Sequence, residues 1–390
     1  MSLNEVTLNL PNYPMEELSK IRQRLISQNK KVFDFGTGDP KIPTWAPIRE
    51  AVAQSVTPIS QYPATRGGPD LIESIWGYCN RNFGIKSGQG FDIMATNGSK
   101  EAIFHIALCL VGRAGGKKII AYPDPGYPVY RSSALYAGGI PYPMHLKAEN
   151  DFQMEPWTLP EEVQKNIAAL WINYPHNPTG AILKKGHLEK IIEWCEKRDV
   201  VLLADDCYID IYNPAWDKEG KKPLTPITYT SKNVYSFMSL SKRSGMTGYR
   251  SGFLIGDSRY MGLVGTARAN MGVGTPTMLQ KAAAIAWADD RHVAERRQIF
   301  AKRIELAIPY LQKLGMIEHK PEATFYLWCK VPKGMDDVAF CLRLAEEGVI
   351  TSPSQWLSEG MKGSMRFALV PEDPDTVEAM EIVTRLVKNL

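Results

Sequence analysis

From residue 93 onward, short apolar runs recur with helical stretches between them, and this alternation restricts the fold more than any other feature of the chain. The strand candidates are residues 93–96, 118–122, 168–173, 200–204, 233–238 and 252–255. Helical spacing of apolar residues marks 99–111, 127–137 and 185–197 between the first of them. A strand that is apolar at nearly every position must be buried on both faces, so helices cover both sides of the sheet and its strands run mostly parallel. Ligands of such sheets bind beyond the carboxyl ends of the strands. Ahead of this core, a helix is predicted over 14–29, opening on proline. A short strand at 32–35 then runs into Gly36-Thr37-Gly38-Asp39-Pro40, and helices follow near 47–55 and 69–83. After Pro276 helical periodicity dominates to about residue 313, and the charged stretch 289–303 within it is expected to be a solvated face. A strand at 324–331, a helix at 336–347, a strand at 365–370 and a closing helix complete the chain. The predicted organisation is a large α/β domain over 45–295, with a smaller α+β domain built from 1–44 and 296–390.

The bulk numbers narrow the function classes. A chain of 390 residues with 44% apolar and 23% charged residues has the composition of a soluble globular protein. A formal charge of +4 with no basic tail gives no footprint for nucleic acid. No run approaches the roughly 20 apolar residues that cross a membrane, and the N-terminus has no apolar signal core, so a cytoplasmic protein is expected. The six cysteines are scattered without a Cys-x-x-Cys pair, which predicts reduced thiols rather than disulfides or zinc. None of the six histidines has metal spacing; His176 alone lies beside a motif. No Gly-x-Gly-x-x-Gly opens a helix, so a dinucleotide site is not supported.

The chemistry gathers between Asn233 and Gly256. An apolar run breaks into small, polar, glycine-rich sequence around Lys242 and closes on a second apolar run, a strand–loop–strand pattern. Lys242 stands among the hydroxyls of Ser239, Ser241 and Ser244 and near Arg250. An ammonium held among other cations loses its proton more easily, and a neutral amine attacks carbonyls to form a Schiff base. An aldehyde cofactor bearing a phosphate would use the whole set.

Ser-Leu-Ser-Lys-Arg-Ser-Gly-Met-Thr-Gly-Tyr-Arg-Ser-Gly resembles the lysine motif of class I/II aminotransferases that use pyridoxal 5′-phosphate and share fold type I, with a mostly parallel seven-stranded sheet flanked by helices. The family's other motifs occur upstream in order. Gly98-Ser99-Lys100 follows a strand and opens a helix, where free amides and the helix dipole favour an anion. The resemblance implies that Ser99 and Lys100 hold the cofactor phosphate, with Ser239, Ser241 and Arg250 completing the cradle. It lays Tyr127 against the pyridine ring, makes Asn177 of Asn-Pro-Thr-Gly a donor to the ring's 3-oxygen, and directs Tyr208 to the same oxygen. A carboxylate at the tip of a buried strand is costly unless it meets a cation. Asp205 would meet the pyridinium nitrogen and keep it protonated; Asp206 is its rival, and the spacing to Tyr208 favours Asp205. Arg366 would take the substrate α-carboxylate, with Gly38 lining the same pocket. Tyr62 would reach the phosphate of a neighbouring subunit, implying a homodimer with shared active sites.

The implied reaction is transamination between an amino acid and a 2-oxo acid, with Lys242 carrying the proton. Four segments further resemble bacterial succinyldiaminopimelate transaminases of lysine biosynthesis. They begin at Leu10-Pro11-Asn12-Tyr13, at Ser239-Leu240-Ser241-Lys242-Arg243-Ser244, at Ala286-Trp287-Ala288-Asp289 and at Phe325-Tyr326-Leu327-Trp328. They imply glutamate as donor and N-succinyl-2-amino-6-oxopimelate as acceptor. A carbon–sulfur β-lyase, an aspartate or other class I aminotransferase, and a non-catalytic pyridoxal-binding regulator are the alternatives. The last usually carries a DNA-binding domain, for which this chain has neither room nor a basic segment.

Overall fold

The structure, a computed structural model, describes residues 3–9, 16–112, 116–317 and 320–390. The segment from Leu10 to Met15, singled out above, lies outside the described residues. A seven-stranded sheet is the frame. Its order is Phe91–Thr96, Gly252–Asp257, Val234–Ser239, Val201–Asp205, Ile167–Ile172, Ile119–Asp124 and Ile140–His145. Gly252–Asp257 runs antiparallel to both neighbours, and the rest are parallel.

Alternation along each strand explains the continuous apolar runs. Ile93, Leu170, Leu202, Val234 and Phe253 enter one core, against Ile75 and Tyr78 of helix Pro69–Phe83, Leu188 and Ile191 of helix Lys185–Arg198, and Trp287 of helix Thr277–Ala288. Their neighbours Met94, Trp171, Leu203, Tyr235 and Leu254 enter the core on the other face, against Ile103 and Ile106 of helix Ser99–Leu110, Tyr130 of helix Val129–Tyr136 and Met261 of helix Ser258–Asn270. Successive side chains point to opposite faces, so a strand covered twice needs apolar residues throughout. Helix Pro69–Phe83 shows local punctuation at work. Proline occupies its first turn, and Gly84 ends it at φ 71°, a conformation open to glycine.

Strand Ile140–His145 is absent from the sequence prediction. Pro141 and Pro143 interrupt its pattern, and proline is tolerated there because the strand lies at the sheet edge.

The remaining elements form a second core. An antiparallel sheet in the order Ser352–Pro353, Ser364–Ala368, Tyr326–Lys330 packs with helices Asp337–Glu346 and Asp373–Lys388, through Leu327, Phe340, Leu344, Met365, Phe367, Met380 and Val383. Phe33–Asp34 pairs in parallel with Val349–Ile350 and ties the early chain to this unit. The charged stretch 289–303 is only in part the solvated face expected from its composition: Arg291, Glu295, Gln298 and Lys302 are exposed. It opens helix Arg291–Lys313, and His292, Arg296, Arg297 and Arg303 are all buried. The other face of that helix packs into the protein with those buried charged residues on it, which charge content alone does not reveal. No described helix is long and apolar enough to cross a membrane. All six cysteines are free; Cys109 and Cys207 are partly exposed and the other four buried.

Candidate active site

Five strand ends converge on one edge of the large sheet: Thr96, Asp124, Ile172, Asp205 and Ser239. Just beyond Ser239 the chain turns into the four-residue helix Leu240–Arg243, which Ser239 caps by accepting a hydrogen bond at Oγ from the Ser241 amide (3.2 Å). Lys242 is thereby aimed across the sheet edge, and its Nζ donates to the Gly38 carbonyl. Its ammonium is pushed down to about 8. Burial is the larger cause, and the Arg366 and Arg250 guanidiniums add to it against the opposing pull of Asp39. The direction is the one predicted, but the cause is desolvation first and neighbouring cations second.

Asp205 and Asp206 leave the same strand in opposite directions. Asp205 Oδ2 accepts from the Tyr130 hydroxyl (2.6 Å) and Oδ1 from the Cys207 amide (3.3 Å). Asn173 Nδ2 donates to its main-chain carbonyl (2.7 Å), fixing the strand tip. Burial raises its carboxyl above the usual range. Asp206 accepts from the Thr225 hydroxyl (2.7 Å) and from Ser236 Oγ, and burial pushes it up to about 7. Among the described residues no cation pairs with Asp205, whose donors are all neutral. Cys207 joins this carboxylate to the rest of the site: its Sγ lies 2.8 Å from Ser99 Oγ, and burial holds its thiol well above the usual range, so it stays protonated.

Ser99 begins helix Ser99–Leu110 after Gly98, which has φ 72°. Arg250 lies against that glycine, where an added Cβ would come within 2.6 Å of Nη2. Its guanidinium donates to the Thr247 carbonyl (2.9 Å) and the Asn97 carbonyl (3.3 Å). Registration puts Ser239 level with Gly252 and Gly252 level with Thr96, so the Lys242 turn and this helix start face each other across one strand. Free amides, hydroxyls and a guanidinium converge there as an anion site. Ser241 belongs to the same turn; Lys100 is exposed at the second position of the helix.

On the other side, Arg366 Nη1 donates to Asn177 Oδ1 (2.8 Å) and Nη2 to the Gly36 carbonyl (2.6 Å). The Asn177 amide donates to Asn173 Oδ1 (3.0 Å), so one asparagine anchors both Asp205 and Asn177. Arg366 is buried, lies 4.5 Å over the Tyr326 ring and has no acidic partner among the described residues. The Tyr208 and Tyr326 hydroxyls are 2.7 Å apart. Position 38 favours glycine, because an added Cβ would stand 2.0 Å from the Tyr326 hydroxyl and one of the two would have to shift. Tyr127 meets Tyr130 edge-on at 5.8 Å. Tyr62 is fully exposed and makes no hydrogen bond with the described residues of this chain. His176 is a structural pin. Its ring nitrogens engage Thr179 Oγ1 (2.7 Å) and the Pro125 carbonyl (3.1 Å), and burial drops it to about 3, so it stays neutral. No cluster of metal-binding side chains occurs among the described residues.

Tyr130, Asn173, Cys207 and Tyr326 were not assigned from the sequence. Asn173 ends a predicted strand, Cys207 lies between Asp205 and Tyr208, and Tyr326 lies in a segment noted above, whereas Tyr130 reaches the site through tertiary packing.

A family model described as "Aminotransferase class I and II" matches residues 30–381. The LL-diaminopimelate aminotransferase of Aquifex aeolicus (strain VF5) is 32% identical over 97% of this chain and 97% of its own length. LL-diaminopimelate aminotransferase 2 of Trichormus variabilis is 33% identical over 92% of each. Among solved structures, an aminotransferase from Neisseria meningitidis superposes with a TM-score of 0.88 at 27% identity, covering 99% of this chain and 100% of that one. A Thermus thermophilus protein described as "probable N-succinyldiaminopimelate aminotransferase" shares the fold, with a TM-score of 0.85 at 23% identity over 94% and 98% of the two chains. The convergence of lysine, carboxylate and anion cradle on the edge of this sheet, together with these matches, places the chain in the class I and II aminotransferases, enzymes that use pyridoxal phosphate to exchange an amino group between an amino acid and a 2-oxo acid.

Proposed function

We propose that this aminotransferase acts on long dicarboxylic amino acids of the diaminopimelate type, with glutamate and 2-oxoglutarate as the other pair. The observation that carries an α-amino-acid substrate is Arg366, a buried guanidinium beside Lys242 with no acid of its own among the described residues. The names of relatives that span nearly the whole chain support the diaminopimelate class.

The residues present fit the cofactor. Asp205 is a buried acid supplied only with neutral donors, and a protonated ring nitrogen is the cation that offsets its burial. The amides at Gly98–Lys100, the hydroxyls of Ser99, Ser239 and Ser241, the Lys100 ammonium and Arg250 would hold the phosphate. Asn177 and Tyr208 would donate to the ring's 3-oxygen, and Tyr127 would cover the ring face. Bound there, pyridoxal phosphate supplies an aldehyde that takes up the amino group and a ring that accepts the electrons of the Cα–H bond. Arg366 grips the substrate α-carboxylate and, with Gly38, turns Cα toward Lys242. The Lys242 amine, readily neutral because it is buried, would take the proton from Cα and carry it to the cofactor side of the substrate. Asp205 would keep the ring nitrogen protonated.

Tyr62 completes the phosphate site of a second copy, so the active unit is a homodimer. The chain divides into a large unit over 45–295 and a small one over 1–44 and 296–390, with helix Arg291–Lys313 crossing between them. A cytoplasmic location suits this chemistry.

The relatives' names favour free LL-diaminopimelate, whereas the four segments noted above favour the N-succinyl form. Single-turnover spectra with both compounds, glutamate, aspartate, alanine and aromatic amino acids decide between them. Faster conversion with either diaminopimelate and with glutamate than with the others is expected; conversion favouring aspartate, alanine or an aromatic donor refutes the assignment.

A further inference from the structure

Six arginines are buried among the described residues: Arg243, Arg268, Arg296, Arg297, Arg303 and Arg366. Four meet carboxylates: Arg243 pairs with Asp210 and Asp290, Arg268 with Glu101, Arg297 with Asp217 and Arg303 with Asp373. Arg366 and Arg296 meet none among the described residues. For Arg366 the substrate α-carboxylate accounts for the difference. Arg296 is 4% exposed, yet its Nε and Nη2 have no hydrogen-bond partner. Its Nη1 reaches the Ile42 carbonyl at 3.5 Å, the limit of a hydrogen bond. Around it lie the Phe300 ring at 5.9 Å and a second cation, Arg303, and burial with that cation pushes it down to about 10. A guanidinium removed from water without a counter-ion is costly, and an anionic ligand is the group that offsets the cost.

Its position relative to the reacting centre gives that ligand a shape. Arg366 holds the Gly36 carbonyl and Arg296 the Ile42 carbonyl, so the two guanidiniums stand at the ends of one stretch of chain, whose Gly38 carbonyl accepts from Lys242. Arg296 also lies against Gly245, three residues after Lys242, where an added Cβ would be 2.7 Å from Nη1. A row of rings joins the two arginines. Arg366 lies over Tyr326 at 4.5 Å, Tyr326 is 4.8 Å from Phe325, and Phe325 stacks on Phe300 at 4.7 Å. The three rings are themselves buried, with Ile42 packed against them, so they form an apolar floor below the segment 40–44 with a cation at each end, the pattern that a methylene chain with a carboxylate at each end would meet. We propose that Arg296 is the subsite for the second carboxylate of a dicarboxylic amino acid whose α-carboxylate lies on Arg366.

The covering segment is held lightly. Pro40 and Pro43 have no amide hydrogen, and residues 40–44 make no backbone–backbone hydrogen bond with the described residues; Thr44 Oγ1 donates to the Gly245 carbonyl at 2.8 Å. Exchanging the Ile42 carbonyl for a carboxylate gives up one long hydrogen bond and forms a charge-assisted fork.

The inference rests on the dicarboxylic reading of the substrate, and the test separates the two. Holoenzymes of wild type, Arg296→Gln and Arg296→Lys are compared on glutamate against norvaline and on 2-aminopimelate against 2-aminoheptanoate, pairs that differ by a carboxylate in place of a methyl. The ratio of kcat/KM for the dicarboxylate to that for its partner is expected to fall at least about thirty-fold in the glutamine variant, the scale for truncating one member of a buried charge pair, and less in the lysine variant. Binding of pimelate against heptanoate, followed by calorimetry, should weaken in the same proportion without turnover. Should the glutamine variant not fold, the lysine variant carries the comparison. Ratios unchanged in the folded variants overturn the subsite, including the case in which both members of a pair fall together because Arg296 only supports the fold. Loss of the glutamate preference on substitution, in a wild type that does not favour the seven-carbon acid, upholds the subsite and refutes the diaminopimelate reading alone.

Discussion

Burial holds the Lys242 amine near 8, against an ordinary 10.5. Between those values the unfolded chain binds a proton that the folded chain has lost, so Lys242 makes stability rise with pH across the interval. Below pH 8 both states carry the proton, and the folded state bears the full cost of enclosing a charge. Above pH 10.5 neither carries it and the cost vanishes. At about 1.4 kcal/mol for each pH unit, the change from pH 7 to pH 10.5 is roughly 3 kcal/mol. Lys242→Met removes the titration while keeping most of the side-chain volume. Urea unfolding of the cofactor-free wild type and variant, at matched pH, cancels every other ionisable group in their difference. The stability advantage of the methionine variant over wild type should shrink by about 3 kcal/mol as pH rises from 7 to 10.5. A difference that stays constant, or one that widens with pH, would show that the amine is not held in a desolvated site.

Gly38→Ala should cost about 1–3 kcal/mol of stability, because the new Cβ would lie 2.0 Å from the Tyr326 hydroxyl. The displaced Gly38 carbonyl should also lower kcat on the order of 100-fold, read by steady-state kinetics. Tyr130→Phe removes the hydroxyl that donates to Asp205, so its carboxyl rises further and the acidic limb of the kcat profile moves to higher pH, with about a tenfold loss of kcat. An unmoved limb would dissociate Asp205 from that titration. Arg243→Met strands Asp210 and Asp290 beside the Lys242 turn and should lower stability by about 3–5 kcal/mol in urea unfolding. Lys242→Ala should abolish both the visible absorption of lysine-bound cofactor and its trapping by borohydride.

The parts legible from the sequence share a physical reason: they are encoded locally. Strand Val201–Asp205 shows itself by an unbroken apolar run, and helix Pro69–Phe83 by a proline at one end and a glycine at the other. Lys242, Asn177 and Asp205 lie in contiguous motifs at strand ends, where a parallel sheet places its ligands. The parts that were not legible depend on partners distant in sequence. Strand Ile140–His145 is a strand because a neighbour pairs with it at the sheet edge, despite its prolines. Helix Arg291–Lys313 has the composition of a solvated element and yet buries three arginines, because neighbouring elements pack around it.

The sequence by itself determined the doubly covered sheet and that Lys242 and the Asp205-Asp206 pair lie at its edge, since periodicity and short motifs are properties of consecutive residues. Only the tertiary structure decided that Asp205 rather than Asp206 faces Tyr130 and Cys207, that desolvation more than neighbouring charge lowers the Lys242 amine, and that Arg296 is enclosed without an acid among the described residues. Burial and the presence or absence of a counter-ion are set by what residues far along the chain bring into contact, and no local pattern records that.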